Sequence, residues 1–177
     1  IPAYLGIGLS GPISGNVGRV PKIRIGNFEL KDVISSYPIY DDVAAKTLIL
    51  SRNGNLGADI LSRFNITFDY ANEIMYLKRN QYFKRPFEHD MSGIEVYVEE
   101  EPDKRYFVSR IEANSPAEFA GIHEGDEIIS INFINTKTLN LNDITKTFRS
   151  GNDRVIFLSV NRNGELLIRL IKLKKRI

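Results

Sequence analysis

Ser115 to Asn132, SPAEFAGIHEGDEIISIN, restricts the fold more than any other run in the chain. Ser115 can cap a helix, Pro116 suits the first turn, and Glu118 stands three residues on, where it can reach back toward the cap. Gly121 ends the helix, because a residue at ease with positive φ closes it at little steric cost. Ile122 follows where a helix-ending hydrophobic contact belongs. Gly125-Asp126 makes the next turn, and Glu127 to Ile131 reads as a short buried strand. A short capped helix, a glycine stop, a Gly-Asp turn and a buried strand in such close order make a specific pattern.

This run resembles the SPA…AGI…GD.I..IN signature of PDZ domains, especially the bacterial form found in HtrA-like proteases. The resemblance assigns residues 92–177 to a small β-sandwich or barrel with two helices. Ser92-Gly93-Ile94-Glu95-Val96 then stands where the family carries its carboxylate-binding loop and the strand after it. A chain-terminal carboxylate needs several backbone N–H groups in one concavity, and Gly93 lets the backbone present them. Ile94 is expected to turn its side chain into the groove. Ile94, Val96 and Val98 alternate with Glu95, Tyr97 and Glu99, so one face of the strand is apolar and its edge could accept an extended peptide. Gly93, Ile94, Glu95 and Val96 are therefore candidate peptide-binding residues.

Asn142 to Phe148 reads as the second helix, with Asn142 or Asp143 as its cap and Ser150-Gly151 as its stop. Ile144 and Phe148 lie four apart on one face. The resemblance makes that face the other wall of the groove; an amphipathic helix turning two residues into the core explains the spacing equally well. The family often starts this helix with a His that selects Ser or Thr in the ligand. None is present, which points to hydrophobic C-terminal peptides. Glu99 to Arg105 reads as a solvated charged tip. Asn163-Gly164 between two apolar runs predicts a hairpin. The basic end at Lys172, Lys174, Lys175 and Arg176 reads as a guard against edge-to-edge pairing.

Residues 1–80 read as a β-rich domain. Gly6, Gly8, Gly11, Gly15, Gly18 and Gly26 alternate with Ile and Val, favouring short strands and tight hairpins. Strands are expected at Lys22–Ile25, Phe28–Leu30, Val33–Ile39 and Thr47–Leu50, with a turn at Gly26-Asn27. Asn55 to Tyr70, NLGADILSRFNITFDY, predicts a short helix followed by a strand through Ile66, Phe68 and Tyr70, then a turn at Ala71-Asn72 and a return through Ile74 and Tyr76. This stretch resembles the last third of a retropepsin-like aspartic protease. The resemblance implies a partial β-barrel, a Gly-rich flap hairpin upstream, and a structural role for Asp59 at the helix start.

Aspartic proteases need two carboxylates sharing one water, placed by Asp-Thr-Gly or Asp-Ser-Gly turns, because their proximity splits the two pKa values. No Asp here is followed by Thr-Gly or Ser-Gly, and the adjacent Asp41-Asp42 pair reads as a loop or turn. No catalytic residue is therefore expected within the chain. It begins Ile1-Pro2, with neither an initiator Met nor a signal-peptide pattern, which predicts a processed or truncated piece whose catalytic turn lies upstream.

Gln81 to Met91, carrying Pro86 and several charges, reads as a linker or strap anchored by Phe83 and Phe87. His89 and His123 are the two histidines, and neither has a Cys, Asp or second His at ligand spacing, so no metal and no cofactor are expected. A net charge of +2 provides no global basic field for nucleic acid. The absence of Cys excludes disulfides. No apolar run approaches the ~18 residues of a membrane span.

Two readings remain. The first is the C-terminal part of an aspartic endopeptidase with a PDZ module, inactive as this piece, paired with a second copy or with the missing N-terminal segment, and periplasmic or secreted. The second is a non-catalytic scaffold binding peptide or protein C-termini.

Overall fold

A computed structural model describes residues 1–8, 11–39 and 54–177. The strand expected at Thr47–Leu50 and the Asp41-Asp42 pair lie outside them. The chain divides into two compact units, Ile1–Phe87 and Glu88–Ile177. Both are mainly β with few short helices.

In the first unit, β1 (Pro2–Gly8), β2 (Gly11–Ile25) and β3 (Phe28–Pro38) form an antiparallel meander. The Gly26-Asn27 turn falls between β2 and β3 as its residues require. The two short runs expected after it are one strand, β3. Val20 pairs Val33 and Lys22 pairs Lys31, so the register is unchanged on either side of Pro21, which has no N–H to give the ladder. Opposite Pro21, Asp32 takes a φ of 52°, and Arg19 Nη1 donates to its carbonyl at 2.8 Å.

Helix α1 (Ala58–Leu61) leads into the β4 (Phe64–Asp69) and β5 (Ile74–Arg79) hairpin. The cap of α1 is Gly57, with no side-chain bond to it. Asp59 thus does not cap the helix but sits in its first turn, where a negative charge suits the helix dipole. No hydrogen-bonded path joins β4–β5 to β1–β3 among the described residues. They form two separate sheets, so the expected partial barrel is not closed here.

Leu30, Val33, Ile60, Phe64 and Phe87 make the first core, with Phe28 and Phe83 against it. Arg63 is 6% exposed within it. Its Nε donates to the Asp59 carbonyl at 2.8 Å. Its terminal nitrogens donate to the carbonyls of Tyr82 and Pro86, each at 3.2 Å, and to that of Arg85. The guanidinium also lies 3.6 Å over the Phe87 ring. Residues 82–87 are therefore wrapped around a buried cation as part of the first unit.

The second unit holds β6 (Ile94–Glu99), β7 (Arg105–Ile111), α2 (Pro116–Phe119), β8 (Glu127–Ile131), β9 (Ile134–Asn135), α3 (Leu141–Phe148), β10 (Val155–Arg162) and β11 (Glu165–Lys172). The sheet order is β11-β10-β8-β7-β6, with β9 on β8. Its core includes Tyr106, Val108, Ile128, Ile144, Phe148, Ile156, Leu158 and Leu173. Each such side chain contributes roughly 1.5–3 kcal/mol by leaving water. The Asn163-Gly164 turn joins β10 to β11 with φ of 53° and 90°, the paired positive values that a two-residue hairpin demands.

The Ser115 run folds as its residues require. Ser115 Oγ accepts the Glu118 amide at 3.2 Å, and the Glu118 carboxylate accepts the Asn114 amide at 2.7 Å. Gly121 follows at φ 72°, and Ile122 is buried.

Candidate functional site

Strand β6 is the end of its sheet, hydrogen-bonded to β7 on one side and to no described strand on the other. Helix α3 packs beside it. An extended chain could satisfy the free backbone groups of β6 while lying against α3, the geometry of strand addition.

The helix begins at Leu141, one residue earlier than expected. Asn140, not Asn142 or Asp143, is the cap: its Oδ1 accepts the Asp143 amide at 3.0 Å, and Asp143 Oδ2 accepts the Asn140 amide at 3.3 Å. That reciprocal pair is a capping box, readable in the sequence as Asn-x-x-Asp. The earlier start puts Leu141 in the first turn, 38% exposed, with half-buried Thr145 one turn on. Ile144 and Phe148, the expected groove residues, are 0% and 1% exposed and belong to the core. The amphipathic spacing is satisfied inward. The surface flanking that stripe comes from Leu141 and Thr145, which sequence reasoning did not name.

On β6, Ile94 is also buried in the core rather than turned into a groove. Val96 and Val98 are half-buried against the same core. Glu95 faces away and pairs with Arg110 at 3.6 Å. Its carboxyl is pushed up first by burial, while Arg110 pulls it down and Glu112, Asp90 and Glu124 push it up further.

The segment ahead of β6 is tied on three sides. The Met91 amide donates to the Phe148 carbonyl at 3.1 Å, and the Met91 carbonyl accepts the Lys174 amide at 3.0 Å. The Ser92 carbonyl accepts the Ala117 amide at 2.9 Å. Gly93 sits at φ 82° against Ser115, where any Cβ would overlap the Ser115 side chain.

Asp90 fills this loop. Its Oδ1 accepts the Ser92 amide at 2.9 Å and the Gly93 amide at 2.6 Å, and it accepts the Ser92 hydroxyl at 3.0 Å. Ser92 Oγ in turn accepts the Ile94 amide at 3.1 Å. The amides of Gly93 and Ile94, expected to be open for a ligand, are already used inside the loop. Burial pushes the Asp90 carboxyl up, against the pull of these donors and of Arg176. Arg176 pairs with Glu112, and its Nε and Nη2 have no hydrogen-bond partner among the described residues. Asp90 falls in the stretch expected to be a linker, yet the short Asp-x-Ser-Gly spacing lets its carboxylate cap amides two and three residues on.

No group of three or more His, Asp or Glu among the described residues could hold a metal ion. No helix among them is long and apolar enough to cross a membrane.

Residues 82–160 match the family model of the PDZ domain. No curated protein matches the chain in sequence. In fold, the chain is similar to the HtrA-type protease AlgW with decapeptide, at 15% identity and a TM-score of 0.50, over 99% of this chain and 60% of that one. The serine endoprotease from Yersinia pestis aligns at 16% identity and a TM-score of 0.46, over 65% of this chain and 43% of that one. The photosystem II D1 C-terminal processing protease aligns at 20% identity and a TM-score of 0.46, over 55% and 26%. The chain thus spans less than two thirds of each of these proteins, and none of them bears on an aspartic-protease relation.

Proposed function

We propose that the PDZ domain of this chain, matched at residues 82–160, is a peptide-binding module that takes an extended polypeptide as an added strand on β6. The observation that carries this reading is the position of β6: it is an end strand with α3 packed alongside. Main-chain hydrogen bonds to β6 supply affinity, and Val96, Val98, Leu141 and Thr145 supply the side-chain surface that selects apolar residues. Titrating the 15N-labelled chain with hydrophobic peptides is the direct test. Resonances of β6 and α3 should shift together. Peptides that shift only β11, at the opposite end of the sheet, would sink the reading.

A second reading concerns the first unit. We infer that it is the C-terminal part of an aspartic endopeptidase domain, with its Asp-Thr-Gly or Asp-Ser-Gly turn ahead of Ile1 and this piece inactive alone. Support comes from the succession α1, β4, β5 at the stretch that resembles that family. Phe68, Tyr70, Ile74 and Tyr76 on this hairpin are also exposed, apolar surface suited to a second copy or to an upstream segment. The gene ahead of Ile1 decides it: an acidic turn there, with proteolysis blocked by a carboxylate-directed inhibitor, supports the enzyme. Its absence leaves the peptide-binding scaffold. A bacterial envelope location belongs to the same reading and is tested by fractionation.

A further inference from the structure

Resting on the reading of β6 as a peptide-binding edge, we propose that this edge recognises the interior of an extended chain and not its carboxyl end. The seat that a terminal carboxylate would take is filled by the protein's own Asp90.

The donor inventory carries this. A carboxylate bound in the loop before β6 would need the amides of Ser92, Gly93 and Ile94. All three are committed, two to Asp90 Oδ1 and one to Ser92 Oγ, and the Ser92 hydroxyl is itself held by Asp90. Each N–H has one strong bond to give, so an incoming carboxylate gains nothing until Asp90 leaves.

The loop is also poorly placed to yield. Gly93 cannot move toward Ser115, and Met91 is fastened to α3 and to the segment after β11. The surrounding charge disfavours an anion as well. Asp90, Glu95, Glu112 and Glu124 interact around the loop, against Arg110 and Arg176. Arg110 is paired with Glu95 and Arg176 with Glu112. A chain end would therefore have to expel Asp90 before it could use any amide that Asp90 holds. An internal segment meets none of these barriers, since it needs only the free backbone groups of β6.

The test uses the full 177-residue chain and an array of hydrophobic decapeptides made in matched pairs, one free acid and one C-terminal amide, with Kd read by fluorescence anisotropy. For the native chain the amide should bind as tightly as the acid or more tightly. In Asp90→Ala the freed amides should favour the acid by about tenfold or more, the worth of a charge-assisted hydrogen bond. Should that variant fail to fold, Ser92→Ala frees the Ile94 amide alone and should move the acid-to-amide ratio in the same direction. On binding of an amidated peptide to the native chain, β6 resonances should shift while those of Ser92 and Gly93 stay in place. A native chain that prefers the free acid by about tenfold overturns this inference and leaves the binding edge standing. An array in which no peptide perturbs β6 removes the binding edge itself, and the inference falls with it.

Discussion

Arg162 grips Asp126 with two nitrogens, each 2.7 Å from a carboxylate oxygen, and with the same side chain donates to the Gly121 carbonyl at 2.8 Å. One side chain on β10 thereby ties together the end of α2 and the turn before β8. Burial would raise the Asp126 carboxyl, but the bonds from Arg162 and the His123 amide outweigh it and hold the group below its ordinary value.

Asp126→Ala should therefore destabilise the second unit by about 2–3 kcal/mol. That is less than the ~3–5 kcal/mol of a fully buried pair, because Arg162 keeps 24% of its side chain exposed. Because the folded pKa is depressed, the stabilisation is present above the ordinary Asp value of 3.8 and is lost as pH falls through the folded pKa. Urea unfolding at pH 7 and pH 3 checks both statements: the gap between native and variant should shrink at the lower pH.

Asp90 has the opposite sign. Its folded pKa is raised, so its contribution is full below 3.8 and declines as pH rises through the folded value. Relative to Asp90→Asn, the native chain should lose stability between pH 3.8 and neutrality. Equal slopes for the two would show that the group is not buried as described.

Gly93→Ala should destabilise by roughly 1–3 kcal/mol, the scale of an enforced strained backbone, because the added Cβ meets Ser115 and the φ of 82° disfavours an L side chain. Gly18→Ala, with nothing among the described residues within 4 Å of the new atom, should be far milder. Combining Gly93→Ala with Ser115→Gly should cost less than the sum of the two, since the second change removes the obstacle that the first one strikes.

Ile144→Ala and Phe148→Ala should each cost about 2–5 kcal/mol as core truncations, visible as a lowered melting temperature. Leu141→Ala, at an exposed position, should change stability by no more than about 0.5 kcal/mol yet weaken peptide binding. If Leu141→Ala leaves binding untouched, the first turn of α3 is not part of the ligand surface.

Arg63→Met should loosen residues 82–87 by removing the donor shared among their carbonyls, at roughly 2–4 kcal/mol. Hydrogen exchange at the amides of Phe83 and Arg85, bonded now to Asn80 and Tyr82, should quicken.

How legible these features were depended on how far apart in the chain their partners stand. Ser115 and Glu118, Asn163 and Gly164, and Gly26 and Asn27 are near neighbours, so residue types alone declare the helix start and both turns. Asp90 and Gly93 are as close, and the cap between them was open to the same reasoning. The charged run through Pro86 masks that cap, because its composition is that of a linker. Ile144 and Phe148 mark the limit of periodicity: spacing of four says that two side chains share a face, not whether that face meets a core or a groove. Burial in one core cluster with Ile94 of β6 decided for the core.

What the residues determined by themselves, then, is the set of capped and turned elements of the second unit, because caps and turns are settled within four or five positions by hydrogen bonds and backbone sterics. Only the tertiary structure decided that Asp126 meets Arg162 36 residues away, that Arg63 gathers the carbonyls of 82–86, and that β6 ends its sheet. Each of those depends on which elements the burial of apolar surface brings side by side, and that choice is made by the whole core at once.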